Sequence, residues 1–224
     1  MDAKAIVTCM LVNSYKRLVP ILLLTLPVLL LSAADNWPQW RGPNRDGVLS
    51  SSASPASWPE RLQLRWKLTV GEGYSSPISA AGRIFVFTCQ QGNEVASSID
   101  PEQGRIVWQQ SYAAPYKMNP AAERHGDGPM STPVVSNGKL YTFGISGILT
   151  CWDSATGAVR WRKEFSKEFH ETSPLYGVAM SPLVDRRLLI AHVGGNDEGA
   201  LTAFEAESGK VKWRWTGDGP PRRS

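Results

Sequence analysis

Beyond residue 34 the apolar residues come in short runs separated by turn-forming residues, and no stretch carries a helical apolar stripe. Three runs, Arg83–Cys89, Lys139–Gly144 and Arg187–Val193, are dense in β-branched and aromatic side chains, the residues that fit a half-buried strand. Ala81-Gly82 and Asn137-Gly138 stand before the first two, where two-residue hairpin turns are expected. Upstream of each run lies a hydroxyl–Pro–aliphatic marker: Ser76-Pro77-Ile78, Thr132-Pro133-Val134 and Ser181-Pro182-Leu183. Each unit therefore predicts four short strands. The first begins after the Pro, and the second is the β-rich run. The third ends at an acid, as in Ile148–Trp152 and Ala200–Phe204, and the fourth carries a Trp.

The repeat decides the fold class. Asp100, Gly104 and Trp108 share their spacing with Asp153, Gly157 and Trp161, and with Glu205, Gly209 and Trp213. The tryptophans recur at intervals of 53 and 52 residues. These residue types suit a structural element. Gly permits positive φ in the turn between strands three and four. The acid accepts hydrogen bonds from turn amides. The Trp packs on a neighbouring sheet while its N–H finds a backbone carbonyl. One such unit cannot bury both its faces, but units stacked around an axis can, so the expected fold is an all-β propeller of four-stranded blades. The units are expected at about 69–112, 130–165 and 179–216, within a blade region 61–219. An extended segment, 35–60, precedes them and a short tail, 220–224, follows.

The N-terminus reads as an address. Lys16 and Arg17 precede an apolar run, Leu18–Leu31, and Ser32-Ala33-Ala34 follow. This is the layout of a signal peptide, residues 1–34. The run is short for a membrane span and holds Pro20 and Pro27. The mature chain is expected to be exported, periplasmic or extracellular, with no membrane span. Cys9 would be removed, leaving Cys89 and Cys151, which could pair in an oxidising compartment but are expected as two buried free thiols. The net charge of +4 gives no reason to expect nucleic-acid binding.

The acid–Gly–Trp elements resemble the tryptophan-docking motif of the pyrrolo-quinoline quinone (PQQ)-like propeller repeat, Ala-x-Asp-x-x-x-Gly-x-x-x-Trp. Unit two has Cys151 at the Ala position, unit three has Ala203 but Glu205 for Asp, and unit one has Ser98 and Pro101. The opening Asn36–Gly47 is similar to the start of exported members of that group. The resemblance covers about residues 36–217 and implies a ring of seven or eight blades. Arg65-Trp66-Lys67-Leu68 looks like the fourth strand of a further blade, whose other strands would come from the C-terminal end. The chain is expected to hold about half of a ring, as a fragment, a truncated product or a partner in an assembly. Open blade edges are a liability for self-association. The resemblance divides two ways, toward PQQ- and calcium-dependent dehydrogenases and toward cofactor-free scaffolds of outer-membrane barrel assembly.

The polar and reactive residues outside the repeat have plain structural readings. Glu123-Arg124-His125-Gly126-Asp127-Gly128-Pro129 is the most polar loop, yet it has no second His or Cys at ligand spacing. His170, His192 and the Asn196-Asp197-Glu198 run each read as loop or strand residues. Ser131 and Ser181 lack a nucleophile elbow. Met118, Met130 and Met180 read as packing residues. So do Trp37, Trp40 and Trp58, with a sugar- or peptide-binding platform as the other reading. The expectation is a non-catalytic binding or scaffold module in the cell envelope, with no cofactor, no metal site and an envelope protein as partner. The alternative is a fragment of a PQQ-dependent oxidoreductase.

Overall fold

The computed structural model describes residues 36–49, 57–165, 176–195 and 199–216. The expected signal peptide, His170 and Asn196–Glu198 lie outside the described residues.

Twelve strands form three antiparallel sheets of four, each in chain order. The first holds β1 (Ile78–Ala80), β2 (Arg83–Gln90), β3 (Asn93–Ile99) and β4 (Ile106–Ala113). The second holds β5 (Val134–Ser136), β6 (Lys139–Phe143), β7 (Ile148–Asp153) and β8 (Val159–Glu164). The third holds β9 (Leu183–Asp185), β10 (Leu188–Val193), β11 (Ala200–Glu205) and β12 (Val211–Trp215). The sheets are blades of an incomplete propeller. Each innermost strand starts directly after the marker Pro, because Pro lacks the N–H a ladder needs and is tolerated only at a strand's start or edge. The pairing shifts register at one corresponding place in each sheet, at Ser98/Ile99, Cys151/Trp152 and Ala203/Phe204. A bulge there turns the outer strand just where the Trp leaves it.

The core lies between the sheets. Phe85, Phe87, Ala96 and Trp108 of the first sheet pack against Leu140, Ile148 and Trp152 of the second. Tyr141, Phe143, Leu149 and Cys151 on the second sheet's other face pack against Leu189, Ala191 and Phe204 of the third. The strands thus alternate between two buried faces, which explains their continuous apolar runs. A smaller cluster, Met118, Ala122 and Ile145, lies under the connectors.

Several expectations need correction. The polar loop opens with a short 3-10 helix, Pro120–His125, whose amides are started by the Asn119 side chain. Residues 65–68 are extended but belong to no sheet, because no described strand lies beside them to pair with. Trp37 bridges to Ser79 and lies against Gly42. Trp40 and Trp58 are exposed and do not fill gaps between blades, and Met180 is also exposed. Among the described residues, no helix is long and apolar enough to cross a membrane.

Candidate functional site

The repeat residues meet across the gaps between sheets. In the first turn, Asp100 Oδ1 accepts the Glu102 and Gln103 amides. In the second, Asp153 Oδ1 accepts those of Ala155 and Thr156. Arg160 beside Asp153, together with these donors, holds the Asp153 carboxyl down at about 2. Glu205 is longer and instead takes the Ser208 hydroxyl. The turn so built presents a bare glycine and one free carbonyl to the preceding sheet. Trp108 lies on Gly157, where a Cβ would come within 2.7 Å of its ring, and donates its indole N–H to Ser154 O at 3.0 Å. Trp161 lies on Gly209 and donates to Ala206 O at 3.0 Å. Trp66, from the extended segment, lies on Gly104 and donates to Pro101 O at 2.8 Å. The acceptor is always the residue after the acid. The indole uses only its carbonyl, so Pro101 keeps that contact although it lacks the N–H that Ser154 and Ala206 donate to Gly138 O and Arg187 O. Trp213 differs: it is 40% exposed, and no described glycine lies against it. Of the expected Trp108, Trp161 and Trp213, the first two are seated on turns among the described residues, and Trp66 is the third tryptophan so seated.

The innermost markers also meet. The Ser76 amide donates to Thr132 Oγ1 at 3.2 Å, and the Thr132 amide to Ser181 Oγ at 2.9 Å. The hydroxyl of each of these markers thus accepts from the unit before it, which explains why the repeat keeps Ser or Thr there. It also leaves Ser181 a structural residue.

Connectors between sheets meet one another. Tyr74 and Ser75 both donate their amides to Pro129 O. Val178 donates to Ile145 O, in the hairpin between β6 and β7. This brings Tyr74, His125 and Tyr176 together from three connectors. The His125 ring lies 5.8 Å from Tyr74 and meets Tyr176 edge-on at 5.0 Å. Both tyrosines are exposed. Asp127 accepts the Met118 amide at 3.0 Å, so it organises the loop. Of the polar loop, the structure brings only His125 into the ring cluster. Sequence reasoning misses Tyr74 and Tyr176; the available signal is their place just before the markers Ser76 and Ser181.

Under this surface lies a carboxyl that sequence reasoning also passes over. Glu94, at the start of β3, is 1% exposed. It crosses to the second sheet, where its Oε1 accepts the Ile145 amide at 2.6 Å. Gly144 leaves it room, since a Cβ there would overlap the carboxyl group. Glu94 Oε2 and the neighbouring Tyr112 hydroxyl make no well-formed hydrogen bond. Burial pushes the Glu94 carboxyl up to about 7, against the opposing pull of Tyr112, the Ile145 amide and Arg162. The Arg162 guanidinium stacks over the Tyr112 ring at 4.1 Å. His192, in β10, is half-buried and its basicity is lowered by burial. Cys89 and Cys151 are free thiols, and burial drives Cys151 up to about 12.

Two clefts of about 400 Å³ indent the sheets. One, between the second and third sheets, is lined by Lys139, Arg186, Arg187, Glu205 and Glu207, with Lys139 paired to Glu207 at 2.7 Å. The other lies on the third sheet's outer face, between Val178, Met180, His192, Leu201 and Trp215. Among the described residues no three His, Cys, Asp or Glu side chains are grouped to hold a metal ion.

The chain is similar to known proteins. A family model described as outer membrane protein assembly factor BamB matches residues 91–223. A quinohemoprotein alcohol dehydrogenase of Pseudomonas putida is 27% identical over 175 residues, which is 72% of this chain and 22% of that protein. Outer membrane protein assembly factor BamB of Shewanella oneidensis is 31% identical over 84 residues, 37% of this chain and 21% of that protein. The structure of a quinohemoprotein alcohol dehydrogenase from Comamonas testosteroni superposes with a TM-score of 0.58 at 22% identity, covering 82% of this chain and 27% of that one. The chain thus spans about a quarter of the length of the relatives it matches.

Proposed function

The chain belongs to the propeller-repeat family described as outer membrane protein assembly factor BamB, and from that premise we propose that it is an exported, non-catalytic binding module of the cell envelope. The observation that supports this reading is the connector surface. Three separate connectors, held on rigid sheets, present Tyr74, His125 and Tyr176 side by side. Exposed rings with polar tips make large, low-entropy contacts, the kind that anchor protein interfaces. Loops on a rigid scaffold are where such binding is ordinarily placed. The partner class is a protein of the envelope assembly apparatus.

The test is site-specific photo-cross-linking from positions 74 and 176 of the full chain in cell envelopes. Adducts with an envelope assembly protein, reduced by Tyr176→Ala in the chain labelled at 74, are expected. Cross-links no different from those at exposed Trp58 would remove the reading.

A second reading, a fragment of a PQQ-dependent oxidoreductase, draws on the greater coverage of this chain by the dehydrogenase relatives. Calcium beside a quinone takes six to eight converging oxygens. Among the described residues no three His, Cys, Asp or Glu side chains are grouped to contribute to such a cage. Dye-linked alcohol oxidation by the full chain with added PQQ and Ca²⁺ would favour the second reading over the first.

A further inference from the structure

The turn between the first two strands recurs in every sheet, so its three copies can be compared by register. Ile78, Val134 and Leu183 pair with Phe85, Tyr141 and Ile190. The turns in between are therefore Ala81-Gly82, Asn137-Gly138 and Arg186-Arg187. The first two take positive φ at both residues, 51° and 69°, then 48° and 70°. The third takes it at Arg186 alone, 52°. A small residue followed by Gly already meets the backbone's needs in such a turn. Nothing in the folding of a sheet calls for two arginines there. The same comparison singles out Tyr141, whose counterparts Phe85 and Ile190 have no hydroxyl.

These departures from the repeat converge. Arg186, Arg187, Tyr141 and Lys139 all line the cleft of about 400 Å³ between the second and third sheets, a volume in the range of small-molecule sites. Tyr141 and Ala206 are its buried floor, joined by a hydrogen bond from the Tyr141 hydroxyl to Ala206 O at 3.2 Å. Both acids of the lining are already engaged. Glu205 accepts from the Ser208 hydroxyl, and Glu207 is paired at 2.7 Å with Lys139. Arg186 and Arg187 make no ion pair among the described residues. Adjacent guanidinium groups repel one another, and an anion placed between them removes that cost. Their planar forks match the paired oxygens of a carboxylate or phosphate. A bare ion would leave much of the cleft unfilled. Ser136, Asn137 and Glu207 supply further polar atoms along the lining.

We propose that this cleft binds a small hydroxyl-bearing organic anion: Arg186 and Arg187 hold its phosphate or carboxylate group, and Ser136, Asn137 and the Lys139–Glu207 pair meet its hydroxyls. The antiparallel order sets the cleft at the end of the sheets away from the connectors. The β5–β6, β9–β10 and β11–β12 turns share that end, while the β6–β7 hairpin and the connectors share the other. The site is therefore separate from the Tyr74, His125 and Tyr176 cluster, and the inference does not depend on the proposed function.

The experiment titrates the full chain with glycerol phosphate, with glycerate and with glycerol, following the backbone amide NMR signals of Asn137, Lys139 and Ala206. Saturable shifts with one or both anions, at dissociation constants of about 1 mM or below, and none with glycerol are expected. The two anions tell a phosphate site from a carboxylate site. Arg186→Asn combined with Arg187→Gly installs the second sheet's own turn, so the sheet keeps a sequence that already folds in this chain. It is expected to weaken binding at least about tenfold, the loss of a charge-assisted hydrogen bond. If the double variant loses its β-sheet circular dichroism, Arg187→Gln carries the same comparison. Arg83→Ala, at the first sheet's counterpart of Lys139, is expected to leave binding unchanged. Absence of saturable shifts with both anions would overturn the proposal, as would equal shifts with glycerol. So would undiminished affinity in the folded double variant, or an equal loss in Arg83→Ala, which would reduce the effect to overall charge.

Discussion

Gly157 and Gly138 both have positive φ, +77° and +70°, but for different neighbours. Nothing lies within 4 Å of a Cβ at Gly138, while at Gly157 the Trp108 ring is in the way. Gly138→Ala is therefore expected to cost about 1 kcal/mol from backbone strain alone, and Gly157→Ala about 2–4 kcal/mol because overpacking adds to it. Urea denaturation of the two variants measures the difference. Glu94 makes a prediction of another kind. Its carboxyl titrates near 7 in the folded chain and near 4.5 when free. Between those values the unfolded chain releases the proton and the folded chain keeps it. Stability from this group is thus complete below about pH 4.5 and is lost as pH rises to about 7, by at most about 3 kcal/mol. Glu94→Gln is expected to flatten that part of the stability–pH curve. Parallel curves for the two chains would show that the group does not titrate as its burial requires. Neither residue's part was legible in the sequence. Glu94 is one acid in a strand-like run, and only the approach of Gly144 from another sheet makes it a buried one.

At the scale of elements, the turn between strands three and four does the joining. Its acid orders the amides, which leaves the next carbonyl free for an indole of the preceding sheet. Removal of an indole should matter by position. Trp108→Ala is expected to cost about 3–5 kcal/mol, as for other buried large-to-small changes. Trp213→Ala, on the open face, should cost under about 1 kcal/mol, and chemical denaturation of each compares them. The acid, Gly and Trp spacing could be read along the chain because each unit repeats it. The identity of the partners could not, since Trp108 is joined to Ser154 across a separation of 46 residues. Residues 65–68 are extended but unpaired among the described residues for a related reason. A strand needs a neighbour to hydrogen-bond with, and the described residues offer it none.

At the scale of the molecule, the three sheets form a row with unequal ends, as in repeat proteins where each unit contacts only its neighbours. All five residues of β12 are exposed. Its amides are expected to exchange before those of β7, which is buried between two interfaces. Thiol labelling supplies an independent reading. Cys151 is buried between the second and third sheets and should react only on opening of that interface, while half-buried Cys89 reacts first. What the sequence by itself determined was the unit: four strands, a marker Pro at the inner edge, and an acid–Gly–Trp turn at the outer. Those depend on local turn chemistry and on alternation of apolar positions, and both are written along the chain. Only the tertiary structure decided which tryptophan meets which turn, that Glu94 is buried, and that Tyr74, His125 and Tyr176 share a surface. Each of these arises where separate sheets or connectors approach one another, and proximity in space between distant residues leaves no periodicity in a single chain.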